Sequence, residues 1–152
     1  MFTKLFTTYA CSKVANQLLC IPTNTSPFSV LDVIIPVKVP LHPLLGSNLV
    51  VPCQIRDNTG AQDVTQLPES IRWTYVTENK VKLILVAFKG AIHMEREYQD
   101  HVIMVNYPLV PTDATIEIQE VRSKDSGTYH CMYGSEDIYD SVDIQVQGTS
   151  SP

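Results

Sequence analysis

The sequence predicts an all-β chain folded as an antiparallel sandwich. Between residues 30 and 148, short runs of β-branched and aromatic residues alternate with a period of two. Turn-forming residues separate these runs at short intervals. No helical period persists in the same stretch, so none of the runs reads as an amphipathic helix.

Composition supports one globular domain with a packed core. The chain has 152 residues, of which 44% are apolar and 18% charged. A formal net charge of −5, with 11 Lys and Arg scattered along the sequence, argues against a nucleic-acid binder and against direct capture of a polyanion. The longest apolar run, LILVAF at 83–88, falls far short of the roughly 18 residues a membrane-spanning helix needs, and reads as a buried strand.

Three divisions follow. Residues 1–29 read as a leader or an unstructured N-terminal segment: MFTKLFTTYACSKVANQLLC has an early lysine, but Lys13, Asn16 and Gln17 interrupt its apolar stretch. Cys11 and Cys20 fall outside the predicted sandwich and, if retained, invite intermolecular bridging. Asn24-Thr25-Ser26 fits an N-glycosylation acceptor. Residues 30–148 form the sandwich, and 149–152 are a tail or linker.

The sandwich opens with IPVKVPLHP, whose Pro36, Pro40 and Pro43 confine it to an edge and break it partway. LVVPCQI places Leu49, Val51, Cys53 and Ile55 on one face. Pro52 lacks a ladder donor there, a small cost if the chain changes sheets nearby. NTGAQDVTQLPES, at 58–70, is a long polar loop of a kind that is frequently functional. IRWTY turns Ile71, Trp73 and Tyr75 inward; ATIEI does so with Ala114, Ile116 and Ile118, TYHCMY with Tyr129, Cys131 and Tyr133, and SVDIQV with Val142, Ile144 and Val146.

The stretch DSGTYHC, at 125–131, admits three readings: a nucleophile with its acid, half a metal site, or a corner of a sandwich. No G-x-S-x-G elbow is present, and His130 should face solvent, away from Ser126. The four cysteines form no CxxC pair and the histidines are dispersed, so no metal site and no cofactor is expected. Asp137, Asp140 and Asp143 recur at a spacing that places neighbours on opposite faces of a strand, a solvated pattern rather than a calcium cluster.

Cys53, Trp73, Tyr129 and Cys131 together have the order and spacing of an immunoglobulin sandwich. That pattern implies an inter-sheet disulfide Cys53–Cys131, with Trp73 packed on it, and a Tyr129 hydroxyl bonded back to the backbone. Gly127 permits the tight entry into the strand. The rival is a pair of free buried thiols. A disulfide requires an oxidising compartment, hence secretion. The long interval between the cysteines leaves room for KVKLILVAF and AIHME as strands C′ and C″, which selects the variable type with Greek-key connections.

More specific stretches carry a family resemblance: LLGSNLVVPC (44–53), IRWTYV (71–76), LILVA (83–87), YQDHVIMVNYPLVPTDATIEIQEVRSKDSGTYHC (98–131) and GSEDIYDSVDIQVQG (134–148). Residues 30–148 resemble the N-terminal immunoglobulin domain of the lecticans, the hyaluronan-binding proteoglycans, and of link protein, with the aggrecan branch matching best. The resemblance implies a non-enzymatic, secreted module of the extracellular matrix. It supports assembly of proteoglycan, link protein and hyaluronan by contacting the immunoglobulin domain of link protein or another matrix protein. Hyaluronan would be reached only indirectly, through link modules. The chain stops at QGTSSP, where those modules would begin, so it is expected to be a fragment, a short isoform or a diverged single-domain relative. In variable-type domains a basic residue pairs with the acid of DxGxYxC, which implies an ion pair between His101 and Asp125. Candidate interface residues are Tyr133, Glu136, Asp137 and Tyr139, together with loop 58–70 and the C′–C″ region Lys80–Met94. The alternative function is a variable-type cell-surface adhesion or immune-recognition domain, with its ligand at the loops.

Overall fold

A computed structural model describes residues 9–22, 31–57, 70–134 and 138–148. Strands β1 (Tyr9–Val14) and β2 (Gln17–Pro22) form an antiparallel hairpin. Ala15 and Asn16, at φ 51° and 62°, make its two-residue turn, the conformation such hairpins require. Cys11 and Cys20 are cross-strand partners joined by a disulfide. The expected lead-in at 1–29 thus contains a hairpin. The two cysteines bond to each other rather than to a second chain, because the pairing register sets them opposite.

The sandwich uses β3 (Leu31–Ile34), β4 (Leu49–Val51), β5 (Gln54–Asp57), β6 (Ile71–Val76), β7 (Val81–Phe88), β8 (Ala91–Met94), β9 (Val102–Met104), β10 (Ile116–Ile118), β11 (Gly127–Tyr133) and β12 (Tyr139–Ile144). One sheet is five-stranded, in the order β12-β11-β6-β7-β8; the facing layer is β4-β10-β9, with β3 paired to β5. All these pairs are antiparallel. β7 and β8 are the C′ and C″ strands of a variable-type immunoglobulin fold, and Cys53–Cys131 joins the two layers across a Cα separation of 6.7 Å.

The prolines explain where the chain breaks. β3 pairs with β5, yet beyond Pro36 and Pro40 the backbone bridges β12 and its extension in parallel, at Leu41–Ile144 and Leu44–Gln147. The change of sheet therefore falls at Pro36–Pro40 rather than near Pro52. Pro52 instead separates β4 from β5. Just past it, Cys53 N–H finds the Thr115 hydroxyl at 3.3 Å, and Cys53 O accepts from Ala114 N–H at 2.9 Å.

Trp73 and Cys131 are directly paired, and both are fully buried with Cys53, Leu85 and Ile116 at the centre of the core. The indole N–H donates to Ala114 O at 2.8 Å, so the buried tryptophan leaves no donor unmet. The disulfide contributes about 2–4 kcal/mol by restricting the unfolded chain.

Candidate functional site: the outer face of the five-stranded sheet

The DSGTYHC stretch builds a buried polar corner at one end of the sandwich. A single 3-10 turn, Ser123–Asp125, leads into β11. Asp125 Oδ2 lies 2.8 Å from His101 Nε2 and accepts Arg122 N–H at 2.7 Å. His101 and Asp125 are each only 5% exposed. Tyr129 donates its hydroxyl to Asp125 O at 2.7 Å. Burial, reinforced by the Asp125 charge, pushes the Tyr129 pKa well above its ordinary value, so it remains a protonated donor. Tyr75 packs edge-on against Tyr129, with ring centroids 5.3 Å apart, and its own hydroxyl donates to Ser126 O at 2.6 Å. A Cβ on Gly127 would lie 2.5 Å from the Tyr75 ring, so the corner needs glycine for space. The Ser126 hydroxyl accepts Val146 N–H at 2.9 Å, which commits it to structure. These hydrogen bonds all close within the chain.

The outer face of the five-stranded sheet is different. Register aligns Tyr139, Met132, Arg72, Val86 and His93 across all five strands. The next row is Ser141, His130, Thr74 and Leu83, and the row beyond it is Asp143, Thr128, Val76 and Val81. Met132, Val86, Leu83 and Val76 are half-buried by their neighbours, and among the described residues no further element is stacked on them. Tyr139 is 49% exposed, and its ring lies parallel to His130 with centroids 5.0 Å apart. Burial lowers the His130 pKa despite the nearby Asp143 carboxylate, so the imidazole is neutral at physiological pH. Val81 and Phe88 stand exposed toward the β7–β8 edge. An apolar centre with aromatic, arginine and hydroxyl groups around it has the anatomy of a protein-binding surface.

Other candidate residues divide between these regions. Cys53, Cys131 and Trp73 form the core pin, while Gly127, Tyr129, His101 and Asp125 form the corner. Tyr139 lies on the outer face. Tyr133 does not: it is 3% exposed, because odd-numbered positions of β11 point inward with Cys131. It is a core residue and cannot anchor an interface. Asn24, Glu136, Asp137 and loop residues 58–69 lie outside the described residues. Asp140 is not simply solvated: it accepts Ile35 N–H and Lys38 Nζ, each at 2.8 Å, and ties the proline-rich segment to β12. Its distant partners leave no local pattern that could have revealed this role.

A family model described as the immunoglobulin V-set domain matches residues 38–147. Versican core protein from Homo sapiens is 30% identical over 86 residues, covering 51% of this chain and 2% of that protein. The Bos taurus versican core protein gives the same identity and coverage. The chain thus spans only about 2% of the length of these relatives. The crystal structure of bovine butyrophilin superposes with a TM-score of 0.57 at 22% identity, covering 77% of this chain and 54% of that one, and shares the fold.

Proposed function

The chain belongs to the immunoglobulin V-set family, and on that premise we propose that it is a non-enzymatic extracellular protein-interaction module that meets its partner with the outer face of the five-stranded sheet. The observation that carries this reading is the half-buried apolar centre at Met132, Val86 and Leu83, over which no element packs among the described residues, flanked by the stacked His130–Tyr139 pair. Such a surface gains from losing water and offers aromatic and arginine anchors.

The finer reading is a lectican-like role in the extracellular matrix. It rests on the sequence resemblance and on the 30% identity to versican core proteins. The partner is then an immunoglobulin domain of link protein or another matrix protein, with hyaluronan engaged only indirectly. A sequence closer to the aggrecan branch remains part of this proposal. The net charge of −5 opposes direct binding of an acidic polysaccharide along the domain. The test is to immobilise a link-protein immunoglobulin domain and, separately, hyaluronan, and to measure binding of this chain to each. Binding to the protein alone is expected. Salt-sensitive binding to hyaluronan with none to the protein would overturn the assignment.

A further inference from the structure

The fold gathers four of the scattered cations around one cleft. It opens at the corner end of the sandwich, encloses about 310 Å³, and is lined by Tyr75, Lys80, Lys82, Glu97, Arg122 and Lys124, among others. His101 and Asp125 also border it, but they face each other. Two separate segments supply the cations. Lys80 closes the β6–β7 turn, where Thr77 N–H donates to Lys80 O at 2.8 Å, and Lys82 is the second residue of β7. Arg122 precedes, and Lys124 lies within, the turn that the buried Asp125 holds through Arg122 N–H. The backbones carrying these charges are therefore fixed by hydrogen bonds, while the charged ends reach solvent.

The charges are not matched. Lys82 reaches Glu97 at 3.4 Å. Among the described residues, Lys80, Arg122 and Lys124 have no carboxylate within 4.0 Å. Removing the four cations and the two carboxylates of the cleft from the 11 basic and 16 acidic residues leaves seven basic against fourteen acidic over the rest of the chain. A cationic cleft thus sits in an otherwise acidic molecule.

We propose that this cleft binds a short acidic segment of a protein partner, with Lys80, Arg122 and Lys124 receiving its carboxylates. The charge balance selects the ligand. A long polyanion needs a continuous basic track, and beyond the cleft it would run over a net-acidic surface. A peptide with a few carboxylates ends where the cleft ends. The guanidinium of Arg122 can hold a carboxylate with two parallel hydrogen bonds, while the two lysines act as point charges. The proposal does not depend on the apolar centre of the sheet face at Met132, Val86 and Leu83, which does not line the cleft.

Fluorescence anisotropy of the full chain with a fluorescein-labelled hexaglutamate peptide tests it. The controls are hexaglutamine and a sulfated hexasaccharide. Lys80→Glu with Lys124→Glu should weaken hexaglutamate binding by about tenfold or more, while Lys13→Glu with Lys89→Glu, an equal charge change elsewhere, should alter it by less than about twofold. Amide resonances of Arg122–Ser126 should shift as the wild-type chain is titrated, and those around Met132 should not. This separates failure of the cleft from failure of the sheet face, and it needs no variant to fold. Absence of wild-type binding, equal losses in the two double variants, binding of hexaglutamine, or tighter binding of the sulfated hexasaccharide at the same amides would each overturn the proposal.

Discussion

The corner around Asp125 and the outer face of the five-stranded sheet depart from a simple sandwich in opposite directions. The corner buries charge and hydroxyls; the face leaves hydrocarbon in contact with water. At the corner, Asp125 is met by His101 and Arg122, and Tyr129 and Tyr75 donate to nearby carbonyls. On the face, Met132, Leu83 and Val86 shield one another only in part, with no further element above them among the described residues. A group satisfied within the chain acts on stability when removed. A group left unsatisfied acts on whatever comes to cover it. The contrast can be broken at either end.

The largest effect is expected from Asp125→Ala. It leaves the Arg122 N–H and the buried His101 Nε2 without their partner, and each buried group left unsatisfied costs about 1–3 kcal/mol. Urea unfolding followed by Trp73 fluorescence measures it. A loss below about 1 kcal/mol, the scale of an exposed pair, would show that the corner is not the closed network described. Gly127→Ala should cost less, roughly 1–3 kcal/mol, because the new methyl displaces the Tyr75 ring and with it the bond to Ser126 O. The same unfolding measurement applies, and an unchanged midpoint would mean that the ring moves without loss.

Asp140 lies between the two extremes, partly exposed and tied to a distant segment. Burial opposes its ionisation, but hydrogen bonds from Lys38 and from the N–H groups of Ile35 and Ser141 outweigh this and hold its pKa below the usual carboxylate value. A depressed carboxylate contributes stability that is fully present above its unfolded value, about 3.9, and is lost as pH falls through the folded one. Wild-type Tm should therefore fall more steeply below about pH 4 than the Tm of Asp140→Asn. Identical acid limbs would remove Asp140 from the account.

Much of the fold is legible in the sequence because its signals are local. Alternation in β6, β10, β11 and β12 sorts inward from outward residues, and Trp73 and Cys131 fall on the inward set. The same alternation points Tyr133 inward, where chemical type alone made it look like an interface anchor. What is hidden depends on closure of the chain. Tyr75 reads as one more inward aromatic, and only the folded corner shows it bracing Gly127. Asp140 meets Ile35 and Lys38 across sequence separations of 105 and 102. Cations that look scattered in sequence converge because turns at 77–80 and 122–125 lie at the same end of the sandwich. The β1–β2 hairpin carries a turn at Ala15-Asn16, but its polar interruptions look like those of a poor leader.

The smallest effect on stability, and the most direct test of the proposed role, is expected from Met132→Glu at the centre of the outer face. Its unfolding midpoint should stay within about 0.5 kcal/mol of wild type, since the side chain lies on the outer face of the sheet rather than in the core. Binding to an immobilised link-protein immunoglobulin domain, measured by surface plasmon resonance beside the wild-type chain, should weaken by about tenfold or more, because a charge in a desolvated interface centre is left unpaired. Wild-type binding that Met132→Glu leaves unchanged would contradict the assignment of this face.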